Sequence, residues 1–104
     1  MSGGHWDYAG QRIEDCCDRV GGDGVAIKRW PQTAAIFRAL GNALFKAERG
    51  MDWDLSGDSI IENDAEWDNK TSAAILNAAI NAASTVQRDV LLNRIASMLT
   101  QDQD

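Results

Sequence analysis

Apolar residues recur along this chain in steps of three and four, the spacing that gathers them on one face of a helix. The first run is Trp6, Ala9, Ile13, Cys16 or Cys17, and Val20, and it predicts an amphipathic helix. Gly21-Gly22-Asp23-Gly24 ends it, with glycine free to form a left-handed cap. Val25 to Trp30 is short and mixes β-branched and aromatic residues, the composition of an extended segment, but it is too isolated to build a sheet. Pro31 suits the first turn of a second helix, where its missing N–H leaves nothing unpaired. That helix carries Ile36, Leu40, Leu44, Ala47 and Met51, flanked by Phe37 and Ala43. Gly41 would admit a second helix at close range, and Gly50 marks a kink or an early end.

Residues 54–69 read as an acidic loop with a short helical turn, anchored by Leu55, Ile60, Ile61 and Trp67. Thr71 or Ser72 is placed to cap the next helix. From there Ile75, Ala79, Ala82, Val86 and Val90, then Leu91, Ile95, Met98 and Leu99, keep helical spacing to the end. They form either one helix or two broken near Ser84-Thr85. The expectation is one all-α domain over 1–104, a small bundle of three to four helices with an acidic loop between the second and third. Residues 1–5 and 101–104 are expected to be flexible.

Composition narrows the class. A chain of 104 residues has room for one domain, and 44% hydrophobic residues suffice for a core in which four tryptophans would act as anchors. No apolar run approaches the length of a membrane span, and no basic-then-apolar leader opens the chain, so a cytoplasmic protein without membrane contact is expected. Cys16 and Cys17 are adjacent, and neighbours on a helix point apart, which favours two reduced thiols over a bridge or a metal pair.

Charge adds more than composition does. Asp52, Asp54, Asp58, Glu62, Asp64, Glu66 and Asp68 follow one another without a lysine or arginine between them. Setting them aside leaves nine acids against ten bases, so this segment alone carries the net charge of −6. Phosphates would be repelled from it, which argues against direct nucleic-acid binding and for a protein partner with a basic surface. Trp67 and Trp53 flank the acids and could add contact energy to such a face; equally, the tryptophans fill the core and the acids only keep the surface wet.

Other chemistry finds little support. A free amino terminus with histidine third can wrap copper, but after loss of Met1 the only histidine, His5, stands fourth. Zinc would need His5 to fold back on Cys16 or Cys17, and lacks further ligands. Asp52, Asp54, Ser56 and Gly57 match positions 1, 3, 5 and 6 of a calcium-binding EF-hand loop. The second half departs from that pattern: Ser59 stands where an apolar residue belongs, and Asn63 replaces the final bidentate carboxylate. A calcium-modulated helical module is therefore kept as an alternative, with no metal or cofactor in the main reading. The Gly21–Gly24 stretch lacks the Lys-Ser/Thr of a phosphate loop, and Glu62 with Glu66 reads as solvated surface rather than acid–base machinery. No nucleophile has a paired base, so no enzyme is expected.

Two stretches carry a resemblance. SGGHWDYAGQRI at 2–13, together with Met51, Asp52, Trp53, Ser56, Gly57, Asp58 and the later Trp67, resembles small uncharacterised proteins of bacteria and their phages. Those open Ser-Gly-Gly-His-aromatic-polar-Tyr and carry a DWxxSGD motif. The likeness covers about the first two-thirds of the chain and not the helix at 72–100; its relatives tend to have an apolar residue in place of Asp54. No activity comes with it. Its phage association implies a small acidic inhibitor that binds a host complex, of the anti-CRISPR kind, by covering a basic nucleic-acid channel. The pairing of the two motifs further implies that His5 and Trp6 dock on the Asp52–Asp58 turn, with His5 bonded to a carboxylate or a carbonyl. A homodimer through the alanine-rich stretch 73–83, and a non-inhibitory accessory module, are the other expectations.

Overall fold

Each helix boundary follows from a local rule. In the structure, a computed structural model that describes residues 4–101, the first helix, α1 (Ala9–Gly21), ends on Gly22. Gly22 is right-handed (φ −94°, ψ −1°), not left-handed as expected, because its N–H continues the helical pattern to the Asp18 carbonyl while the Asp23 N–H closes on Val20. Residues 25–30 are not extended. Asp23 has an extended backbone, and its carboxylate accepts the Ala26 N–H at 2.9 Å, the bond that starts a helix. The short α2 (Gly24–Arg29) results, and it stops at Trp30, which precedes proline and so is excluded from the α region (φ −134°, ψ 63°). Pro31 then opens α3 (Pro31–Leu55), which runs through Gly50 without ending there.

The acidic loop is shorter than expected and spans only 56–63. The last helix, α4 (Asp64–Gln101), begins well before Thr71 and Ser72, because Asn63 Oδ1 accepts the Glu66 N–H at 3.0 Å and caps it. The Ser72 hydroxyl instead donates back to the Asp68 carbonyl at 2.7 Å. Ser84-Thr85 does not break the helix, since the Thr85 hydroxyl folds back onto the Asn81 carbonyl at 2.8 Å. The described residues thus form an all-α bundle of four helices with no strand.

The bundle is flattened into a row. α3 lies in the middle, with α1 antiparallel on one flank and α4 antiparallel on the other; α1 and α4 do not touch among the described residues. The Cα atoms span 68 × 28 × 13 Å, with a radius of gyration of 18.5 Å where a compact chain of this length has about 13 Å. A row has no common centre. The deepest positions lie along seams, and the α1 seam of α3 steps through Ala34, Arg38, Gly41, Phe45, Glu48 and Asp52 at alternating four- and three-residue intervals. Against it stand Gly10, Cys17 and Gly21. The backbones approach so closely that a Cβ on Gly41 would sit 2.5 Å from the Cys17 Cβ.

Among the described residues no large apolar side chain is fully buried. The buried apolar residues are alanines (Ala34, Ala35 and Ala47), while Ile13, Val20, Phe37 and Met51 are exposed and Ile36, Leu40 and Leu44 half-buried. The tryptophans do not form a core either. Trp6 and Trp30 are exposed, and Trp53 and Trp67 are half-buried. Along α4, the half-buried face of Trp67, Ile75, Ala78, Ala82 and Val86 lies toward α3. The amide of Gln87 reaches Gln32 at 3.4 Å, near the start of α3. Beyond that point α4 overhangs α3 for about 20 Å, given about 1.5 Å of rise per residue.

Candidate functional site

The acids of the 52–68 segment fall into two groups. Asp52 and Asp54 work inside the fold. Asp52 is fully buried, so it does not belong to an exposed binding face. Its Oδ1 accepts the main-chain N–H of His5 at 2.7 Å and, more loosely, the Ser56 hydroxyl at 3.4 Å. Asp54, half-buried, accepts the Ile61 N–H at 2.6 Å and ties down the loop. Asp58, Glu62, Asp64, Glu66 and Asp68 are exposed. Of these five only Glu66 has a cationic partner among the described residues, Lys70 at 2.9 Å on the next turn.

Apolar groups lie among the exposed acids. Ile60, in the loop between Asp58 and Glu62, is 81% exposed, and Leu55 at the end of α3 is 53% exposed. Trp67 is not a free anchor: the edge of its ring meets α3 at Gly50, where a Cβ would stand 2.8 Å from Cζ2. That contact explains Gly50, which neither kinks nor ends the helix. It makes room for an indole. Trp67 also lines a groove of about 420 Å³ between α3 and α4, together with Ala43, Lys46, Thr71 and Ile75.

The two sequence motifs of the resemblance do meet, through the main chain. His5 offers its N–H to Asp52, while its ring is exposed and stands edge-on to Trp6 at 5.1 Å. One turn back along α3, Glu48 accepts the Gly10 N–H and so caps α1 from outside, a role the Tyr8 side chain does not fill. Between these anchors Asp7 and Tyr8 are both left-handed (φ 53° and 58°). Such a conformation costs roughly 1–2 kcal/mol per non-glycine residue, so the two carboxylates of α3 hold a strained turn in place.

That turn forms one wall of a cleft of about 320 Å³ between α1 and α3. Tyr8 and Gln11 line one side; Phe45, Glu48, Arg49, Asp52 and Trp53 line the other. The Arg49 guanidinium lies 4.5 Å from the centroid of Trp53. Asp52 Oδ2 is buried and has no hydrogen-bond partner among the described residues. None of Glu48, Tyr8, Gln11, Phe45 or Arg49 was singled out from sequence. The available signal was the i, i+4 spacing of Glu48 and Asp52, which puts two carboxylates on one face of α3.

The geometry lends the calcium alternative no support. Asp52 and Asp54 lie in the last turns of α3, one buried and one tied to Ile61, so their oxygens do not wrap a common centre. No group of three or more potential metal ligands occurs among the described residues. The copper geometry at residues 2–5 lies mostly outside them. Cys16 and Cys17 are free thiols, and no helix among the described residues is long and apolar enough to cross a membrane. Set against protein-family models, curated proteins and solved structures, the chain matches none.

Proposed function

We propose that the protein acts by stoichiometric binding, presenting the exposed acids Asp58, Glu62, Asp64, Glu66 and Asp68 to a basic surface on a host protein or complex. The observation that carries this reading is the pairing deficit: four of the five carboxylates have no ion-pair partner among the described residues, and Ile60 stands uncovered among them. Carboxylates steer a basic partner into contact and set its register, while a desolvated apolar residue inside an acidic rim supplies contact energy. The resemblance to small phage proteins supplies the target class: a nucleic-acid-handling defence complex, whose basic channel the acidic loop would occlude. The test is capture of host proteins on the tagged chain at low and high salt, beside a variant with Glu62, Asp64, Glu66 and Asp68 changed to Lys. One nucleic-acid-handling complex captured at low salt, and lost both at high salt and with a folded variant, is the expected result. Equal capture by the variant would overturn it.

A second reading, a non-inhibitory accessory module that assembles with itself, is favoured by a different observation. The outer face of α4 exposes Leu76, Ile80, Leu91, Leu92, Ile95, Met98 and Leu99, an apolar stretch of the kind that marks an interface. The alanines of 73–83, in contrast, are partly taken up against α3. Sedimentation equilibrium separates the two readings: a concentration-dependent dimer lost in Leu91→Gln/Ile95→Gln supports the second.

A further inference from the structure

The cleft between α1 and α3 holds a carboxylate that the fold leaves half used. Asp52 is fully buried, and one of its oxygens anchors His5. The other meets no donor among the described residues, although it is shut away from water. A buried acceptor without a partner carries its full desolvation penalty, and a carboxylate more than a neutral group. Sites of this kind persist where something outside the chain supplies the donor.

The surroundings define that donor. Glu48 adds a second carboxylate, and Tyr8, Phe45 and Trp53 add aromatic surface, in a cleft of about 320 Å³. Acids beside aromatic rings favour a cation with a flat or compact charged head, which can donate to the carboxylate and lie over a ring face at once. The chain already demonstrates the second half of that contact, since Arg49 lays its own guanidinium on Trp53. Two carboxylates against one arginine leave the cleft net negative. Three potential ligands for a metal are not present there, so an organic cation fits where a metal ion does not.

We propose that this cleft binds a single organic cation, a guanidinium or primary ammonium group, seated against the aromatic side chains of Tyr8, Phe45 and Trp53, with a small opening of the cleft wall bringing the enclosed Asp52 Oδ2 to it as acceptor. The site is separate from the acidic loop and does not depend on the role proposed for it. A cation on a free small molecule and one on the side chain of a bound protein would be recognised alike.

The experiment is titration of the full chain with methylguanidinium chloride, followed by amide and indole NMR shifts, with urea as the neutral isostere. Saturable shifts confined to Tyr8, Gln11, Asp52 and Trp53, absent with urea, are expected; linear shifts, or shifts centred on residues 58–68, would overturn the site. Asp52→Asn keeps the acceptor for His5 and removes the charge, and should weaken binding about tenfold. Should that variant unfold, Arg49→Gln decides. Freeing the Trp53 face should tighten binding severalfold, whereas unchanged or weaker binding would overturn the proposal. Agmatine and a blocked Gly-Arg-Gly peptide then separate the sources, the tighter of the two naming a free cation or a partner's side chain.

Discussion

The α1–α3 seam and the overhanging end of α4 reverse the usual link between hydrophobicity and burial. The seam is built from Gly10, Gly21, Ala34 and Gly41, with two carboxylates and an arginine. Arg38 reaches the Gly21 carbonyl, and Glu48 and Asp52 take main-chain N–H groups of the opposite strand of chain. The end of α4 carries Leu91, Leu92, Ile95, Met98 and Leu99, all more than two-fifths exposed. What is buried here is decided by how near two backbones come, and small residues come nearest. Among the described elements α4 packs against α3 alone, and its apolar end runs past α3.

That contrast can be broken most forcefully at Gly41. Replacing it with Leu puts a side chain where even a Cβ would meet Cys17 at 2.5 Å. Loss of about 3 kcal/mol is expected in urea unfolding, the upper range for overpacked sites. A loss below about 1 kcal/mol would mean that the two helices separate easily. Next comes Asp52→Ala, which orphans the His5 N–H. It should lower stability by about 2 kcal/mol, with Asp52→Asn closer to the parent because Oδ1 remains an acceptor. Thermal melts of the pair check this, and equal loss in both would place the stabilisation in the charge rather than the bond.

Smaller effects belong to the exposed positions. Leu91→Gln with Ile95→Gln should leave the stability of a dilute sample within about 0.5 kcal/mol of the parent. A larger drop that disappears on further dilution of both proteins would instead assign those residues to contact between copies. His5→Ala is expected to change the melting midpoint least, by the equivalent of under about 0.5 kcal/mol. Its bond to Asp52 comes from the main chain, which alanine keeps.

The helical class, the start at Pro31 and the close approach at Gly41 were all legible from spacing and residue type. Residues 25–30 were misread because β-propensity was weighed without the capping oxygen of Asp23, which decides the local backbone. The expected stripes of α1 and α3 do exist, but only small members such as Cys17, Ala43 and Ala47 are set into the seams, while Ile13, Val20, Phe37 and Met51 stay exposed. Periodicity reports which residues share a face and is silent on whether a neighbour covers it. The meeting of the SGGH and DWxxSGD stretches was visible only as a pairing of motifs. Asp52 was placed on the acidic face because a run of acids looks uniform in one dimension. In the fold, the turn of α3 points Asp52 inward, while Asp58 and Glu62 lie on the loop and the later acids on the exposed first turns of α4.

A layer 13 Å thick between Cα atoms has consequences for how this protein can vary. In a domain with a deep interior, most intolerance to substitution comes from packing. Here few positions have an interior to disturb, so a scan of all single substitutions should show a sparse map: the small residues of the seam, Asp52, Glu48, and little else set by folding. Any further intolerant positions, above all on the loop at 58–62 or the outer side of α4, would then trace the outline of whatever the chain binds.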